Sequence, residues 1–285
     1  MADNGEWVVE TVSERAGFRT VLRAENGVRV LDSAQDLGVF ENLTFGRVMV
    51  LDGAYQITTA DEFIYHEMMA HVPLYAHGAV REVLIIGGGD GGVAREVLRH
   101  DVARVRLVEI DRAVVDLAVA EFPDVAAGAF EDPRLDLVID DGVRHVATTT
   151  DRFDVVIVDS PDPIGAGAVL FGEAFYRDCR RVLRPGGALV TQSGMPFLTP
   201  DWMRGHAGTL RGVFGDVAFF LTTVPSYTGG PLAHGLSSDG DALRRVSLET
   251  LTARHREHPL TMRYWSPEVH RAAFALPPYV AAALG

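Results

Sequence analysis

The residues best placed to do chemistry begin in one run, VLIIGGGDGGVAREVLRH, where an apolar stretch ends in Gly87, Gly89 and Gly92 at G-x-G-x-x-G spacing. Glycines so spaced let the backbone turn tightly and bring its N–H groups against a nucleotide. Glu109 ends the next apolar stretch about twenty residues on, the spacing of a carboxylate that accepts ribose hydroxyls. Nicotinamide, flavin and S-adenosyl ligands all fit such a loop, and a purely structural glycine turn fits it less well once Glu109 is counted. Asp90, inside the loop, narrows the choice. A pyrophosphate set against this turn and the helix that follows would meet a carboxylate at close range. The carboxylate of S-adenosylmethionine would meet it too, whereas decarboxylated S-adenosylmethionine carries a sulfonium and an ammonium and suits the charge better. Further on, LDLVIDDG ends in Asp140 and Asp141, one of which is suited to accept from an adenine amino group, although either also suits a helix N-cap. FDVVIVDSPDPIGAGAVLF puts Asp159 at a strand tip and Asp162 in an Asp-Pro turn just after it. Two carboxylates beside a glycine-rich loop can do acid–base work, hold a metal or bind a diammonium substrate. The metal is discounted, because no His lies nearby in sequence and a cationic donor would compete for the site.

These residues need a scaffold that brings strand ends together. From about residue 83 a short apolar strand, a turn and an amphipathic helix repeat, with strands expected at Val83–Gly88, Val105–Asp111, Leu135–Asp140, Phe153–Asp159 and Ala188–Gln192. Helices are expected at Gly92–His100, Arg112–Phe122 and Gly172–Leu183. Nearly continuous apolar strands alternating with helices define an α/β protein with a doubly wound, mainly parallel, Rossmann-like sheet, and such sheets bind ligands at the C-terminal ends of their strands. Asp216–Val224 and a stretch around His234–Asp239 read as final strands, the pair antiparallel. Before residue 60 the pattern changes to short alternating pieces at Trp7–Glu10, Phe18–Arg23, Leu37–Phe40 and Arg47–Leu51, a small N-terminal antiparallel β-domain. Thr59 and Glu62 have capping-box spacing, opening a helix that runs to about His77. The expected division is 1–60 for the β-domain and 61–285 for the catalytic domain.

Composition bounds the function. Acidic residues outnumber basic ones 39 to 26, and the net charge of −13 argues against nucleic acid while favouring a cationic small molecule. No apolar run reaches the roughly eighteen residues that span a bilayer, and the start, MADNGEWVVE, has neither a basic nor an apolar signal region, so a cytoplasmic location is expected. The single cysteine, Cys179, allows no intrachain disulfide and no multi-thiolate metal site; in GEAFYRDCRRVL it reads as a buried filler.

The strings LDGAYQITTADEFIYHEMMAHVPL, VLIIGGGDGG, LVEID, DDG, DVVIVDSPDPIG, VPSYTGG and HRAAFALP resemble, in order and over most of the chain, those of the polyamine aminopropyltransferases, most closely the bacterial spermidine synthases. The resemblance implies a β-domain ahead of a Rossmann-like domain of the S-adenosylmethionine-dependent methyltransferase type. It also implies transfer of an aminopropyl group from decarboxylated S-adenosylmethionine to putrescine, giving spermidine and methylthioadenosine with no metal cofactor, in a homodimer or homotetramer. Position by position, it makes Asp159 the catalytic aspartate. Gln35, Asp90, Glu109, Asp140, Asp141, Gly142 and Ala166 become donor-binding residues, with Glu109 on the ribose and Asp90 on the aminopropyl ammonium. Tyr65, His66, Asp90, Asp162, Gln192, Tyr227 and Trp7 become acceptor-binding residues. The sequence departs from the family pattern at Ala166, where Pro is usual, at Thr59, where Glu is usual, at Trp265, where Tyr is common, and in the approach to Gln35. Two rivals stay open on the residues alone: a methyltransferase acting on a small amine, and a non-catalytic relative that binds polyamine or methylthioadenosine.

Overall fold

The computed structural model describes residues 5–11, 17–31, 36–160 and 165–285, the side chains of residues 165 and 166 excepted. Six strands come first: β1 (Glu6–Glu10), β2 (Thr20–Ala24), β3 (Arg29–Leu31), β4 (Leu37–Asn42), β5 (Gly46–Leu51) and β6 (Ala54–Thr58). They form two antiparallel sheets rather than the one expected, β1–β2 and β3–β4–β5–β6. Then follow α1 (Glu62–His77), β7 (Glu82–Gly87), α2 (Gly92–Leu98), β8 (Arg104–Glu109), α3 (Arg112–Glu121), α4 (Pro123–Ala126), β9 (Leu135–Ile139), α5 (Gly142–Thr148), β10 (Phe153–Asp159), α6 (Glu173–Val182) and β11 (Leu183–Gln192). The chain closes with α7 (Pro200–Val213), β12 (Asp216–Thr222), β13 (Leu232–Ser238), α8 (Leu248–Glu257), α9 (Pro267–Ala273) and α10 (Pro278–Leu284).

The large sheet has the order β12-β13-β11-β10-β7-β8-β9, with the first five strands of the repeat parallel and β13 antiparallel to both its neighbours. β7 and β10 lie side by side although four α-helices and two strands separate them in sequence, which makes their C-terminal edge the switch point where the connections diverge. Both faces of the sheet are covered, as the continuous apolar strands require. Val83 and Ile85 of β7 pack with Met68, Met69 and Val72 of α1, whereas Leu84 and Ile86 point the other way, toward Phe175 and Tyr176 of α6. Cys179 is fully buried in that second layer, a filler as its setting implied.

The N-terminal strands are held to the large unit by apolar packing: Leu37, Met49, Leu51 and Ile57 meet Val114 and Leu117 of α3 and Phe122 and Val125 beside and within α4. Each such side chain contributes about 1.5–3 kcal/mol when buried, so this contact fixes where β5 and β6 stand relative to the switch point. The capping box at the start of α1 does not form. The Thr59 hydroxyl instead accepts from the Arg47 N–H at 3.0 Å, and Asp61 occupies the N-cap position without a side-chain capping bond. Its carboxylate accepts from Thr58 Oγ1 at 2.7 Å and from the Ser226 N–H at 2.7 Å, tying the helix start to the loop before β13. Glu62 is left free for other work.

Candidate active site

A cavity of about 340 Å³ opens over the switch point, between the C-terminal ends of β7, β8 and β10 and the inner side of β5 and β6. One end is built by glycines. Gly87 has φ +80°, and a Cβ there would lie 2.0 Å from the Asp159 carbonyl oxygen, so only glycine lets the loop cross the tip of β10 this closely. The Gly88 N–H then donates to that carbonyl at 2.9 Å. Glu109, at the tip of β8, accepts from the Gly89 N–H at 3.1 Å and the Asp111 N–H at 2.9 Å. Burial outweighs these donors and pushes its carboxyl up to about 7. Gly142 and Asp141 line the same end. Asp141 also caps α5, accepting from the Val143 N–H at 2.8 Å, so its capping and lining roles coexist. Asp140 is not among the lining residues: its carboxylate pairs with Arg144 one turn on, a guanidinium that competes with any nucleobase.

The other end is built from α1, β10 and β11. Tyr65 donates its hydroxyl to Asp159 Oδ1 at 2.7 Å, while Asp159 Oδ2, also buried, has no hydrogen-bond partner among the described residues. Burial, and then the nearby negative charge of Asp90, push the Asp159 carboxyl up to about 6. The Tyr65 phenol is driven well above its ordinary value by burial and by the Asp159 carboxylate, so it remains a donor. Asp90 accepts from the Gly92 N–H at 2.6 Å and lies 3.5 Å from His66 Nε2. The other ring nitrogen of His66 is 2.5 Å from Glu62. Burial opposes a charge on the imidazole, but the carboxylates of Asp90 and Glu62 outweigh it and raise its pKa to about 10.

Gln192 lines the cavity with its Oε1 accepting from the Gly194 N–H at 3.0 Å, and Tyr227 lines it while donating to the Gln56 carbonyl at 2.5 Å. Gln35 and Asp162 lie outside the described residues, as does the side chain of Ala166. Trp7 is not in the cavity; it is 61% exposed on β1. The pleat decides this, because Val8 and its cross-strand partner Leu22 face the core with Phe40 and Tyr55, which turns Trp7, Val9 and Val21 outward. The residue of that strand that does line the cavity is Glu10, which sequence reading passed over. Strict alternation along Trp7–Glu10 places positions 8 and 10 on one face and would have identified it. The short β6, which contributes Gln56 and Ile57, was also passed over.

The reason given against a metal, that no His is near in sequence, does not survive folding: ligand atoms of His66, Asp90 and Asp159 lie within 4.8 Å of one another. Their chemistry still suits an ammonium better than a metal. Glu62 at 2.5 Å from Nδ1 and Asp90 at 3.5 Å from Nε2 both favour the protonated imidazole, the form with no lone pair for a metal, and the carboxylates are hydrogen-bond acceptors facing one small space.

Fold and cavity together define a class, an α/β protein with a ligand-sized cavity at the switch point of its parallel sheet, lined by the strand-end carboxylates Glu109 and Asp159. Residues 62–245 match the family described as spermine/spermidine synthase domain, and residues 8–59 the spermidine synthase tetramerisation domain. The chain is 50% identical to polyamine aminopropyltransferase 1 of Pseudomonas aeruginosa over all of this chain and 98% of that one. It is 51% identical to the polyamine aminopropyltransferase of Klebsiella pneumoniae, covering 99% of the latter. Among solved structures it resembles a spermidine synthase in complex with the transition-state analogue AdoDATO, with a TM-score of 0.90 and 33% identity over all of this chain and 97% of that one. It resembles the spermidine synthase of Thermotoga maritima at a TM-score of 0.89 and 34% identity, over all of this chain and 96% of that one. The chain belongs to the spermidine synthase family of aminopropyltransferases and is therefore a transferase.

Proposed function

We propose that the protein transfers the aminopropyl group of decarboxylated S-adenosylmethionine to putrescine, yielding spermidine and methylthioadenosine. The observation that carries this reading is the Asp159 side chain in the cavity wall, with one oxygen held by Tyr65 and the other without a hydrogen-bond partner among the described residues. Glu109 takes the ribose of the donor, the Gly142 and Asp141 end takes the adenine, and Asp90 faces the aminopropyl ammonium. The acceptor's attacking amine lies against Asp159. Its second ammonium lies toward Glu10, Gln56, Tyr227 and Gln192, which supply carboxylate, carbonyl and hydroxyl oxygens at the opposite wall.

The step is a direct displacement. The amine lone pair forms the new C–N bond while the C–S bond breaks, its electron pair neutralises the sulfonium, and the proton on the new secondary ammonium leaves through Asp159. A primary amine with a pKa near 10 is neutral in only about one molecule in a thousand at pH 7. Desolvation in the cavity lowers that pKa, and a carboxylate raised to about 6 is a better proton acceptor than an ordinary one. Alignment of nitrogen, carbon and sulfur supplies most of the acceleration. The division at residue 60 is carried forward as part of this reading: 61–285 holds the reacting groups, while 1–60 supplies the far wall and an assembly surface. The chain has no helix long and apolar enough to cross a membrane among its described residues.

Incubating the enzyme with decarboxylated S-adenosylmethionine and putrescine, cadaverine, agmatine or spermidine, with masses read out, tests the assignment. Spermidine should form fastest from putrescine. Methylated amine formed from S-adenosylmethionine, or no product at all, would replace this reading with one of its rivals.

A further inference from the structure

His66 is surrounded by charged or polar side chains from α1, the loop after β7 and the tip of β10. Glu62, one turn back on α1, faces Nδ1; Asp90, in the loop after β7, faces Nε2; Asp159 at the tip of β10 and Tyr65 on α1 complete the ring of neighbours. Gly92, at the start of α2, forms the floor, where a Cβ would fall 2.2 Å from the imidazole. Glu62 is itself fixed from outside the cavity. Both its oxygens receive the Arg95 guanidinium, Nη1 to Oε1 at 3.1 Å and Nη2 to Oε2 at 3.0 Å, and Arg95 is anchored in turn by the Val125 carbonyl at 2.7 Å and by Glu96 at 2.7 Å. Neither Glu62 nor Arg95 lines the cavity.

We propose that Glu62, clamped by Arg95, is a positioning residue that keeps His66 an imidazolium with its second N–H aimed at Asp90, so that the paired carboxylates Asp90 and Asp159 both stay ionised in the empty site. A neutral ring would turn a lone pair toward one of two carboxylates, which the geometry disfavours. The charge matters because Asp90 and Asp159 oppose each other's ionisation, and His66 is the cation that lowers Asp159 against that repulsion. An arriving diammonium then finds two carboxylates ready, without first having to displace a proton from either. This rests on the transfer reading above only for what the carboxylates do next.

The first test uses no substrate. With 13C-labelled histidine, the His66 ring signal, assigned by its loss in His66→Gln, should keep its imidazolium shift beyond about pH 9, whereas a free imidazole titrates near 6.5. Glu62→Gln should lower that ring's pKa by at least about one unit, as expected for loss of one adjacent carboxylate. The second test follows kcat/KM against pH. His66→Gln, which removes the cation that lowers Asp159, should move the acid limb upward by about one unit, whereas Glu62→Gln, whose ring is still charged at that pH, should leave the limb in place and the plateau within about threefold. A wild-type His66 titrating below about pH 8 overturns the proposal even if the Gln variant fails to fold. So does a Glu62→Gln enzyme that loses activity equally at every pH, as a merely structural residue would. An intact His66 titration without aminopropyl transfer would instead count only against the transfer reading.

Discussion

At the scale of single residues, the site shifts two half-buried aspartates in opposite directions. Burial and a neighbouring charge raise Asp159, whereas the His66 imidazolium outweighs burial and holds Asp90 below the usual carboxylate range. Asp159→Asn should therefore bind donor normally yet turn over at least about a hundredfold more slowly, the loss expected for a positioned base; near-normal turnover in a folded variant would remove Asp159 from the chemistry. Asp90→Asn should narrow the preference for decarboxylated S-adenosylmethionine over S-adenosylmethionine, since it deletes an attraction to ammonium and a repulsion of carboxylate together. Titration calorimetry with both ligands measures this, and an unchanged affinity ratio would refute the charge argument. Asp159 and Glu109 were legible because each ends an apolar strand, and strand ends are where such a sheet gathers its ligand groups. The contact of His66 with Asp90 was not, because it joins a helix to a loop across the intervening β7. Glu62 was misread as half of a capping box, since spacing alone cannot tell a carboxylate that turns back to its own N-terminus from one that reaches the Arg95 guanidinium.

At the scale of elements, the repeating strand–helix units were legible because continuous apolar runs covered on two faces leave little choice of structure. The N-terminal region was less so. β3 spans three residues, too few to show a period, and β6 follows a two-residue turn without a run of β-branched residues to mark it. The cost of that gap was the wall of the cavity, where Trp7 was expected and Glu10 stands. The outer face of β1–β2 is left with Trp7, Val9 and Val21, apolar residues on or immediately before the segment that matches a tetramerisation domain. We expect this face to lie against another copy of the chain. Trp7→Glu should shift the mass measured by light scattering toward smaller species, while a wild-type particle at the 31.0 kDa of one chain would dismiss the interface.

At the scale of the whole molecule, a protein of net charge −13 must bury carboxylates at one sheet edge, and burial there pushes the Glu109 carboxyl up to about 7. Glu109 ionises near 4.5 when unfolded and near 7 when buried, so its ionisation costs the ligand-free fold stability that is lost progressively as pH rises between those values and stays lost above them. Two ribose hydroxyls donating to that carboxylate would favour its charged form and draw the pKa back down. A nucleoside therefore has to expel a proton from Glu109 to bind at pH 5.5 but not at pH 8, and its affinity should climb by up to about tenfold per pH unit before levelling off near 7. The gain in Tm from a fixed concentration of methylthioadenosine should accordingly be larger at pH 8 than at pH 5.5. Asp159 titrates in the same range, so the assignment needs Glu109→Gln, in which binding weakens and the Glu109 part of the pH dependence disappears. If the variant kept the full dependence, or if the wild-type gain were equal at both pH values, Glu109 would not be the group that meets the ribose.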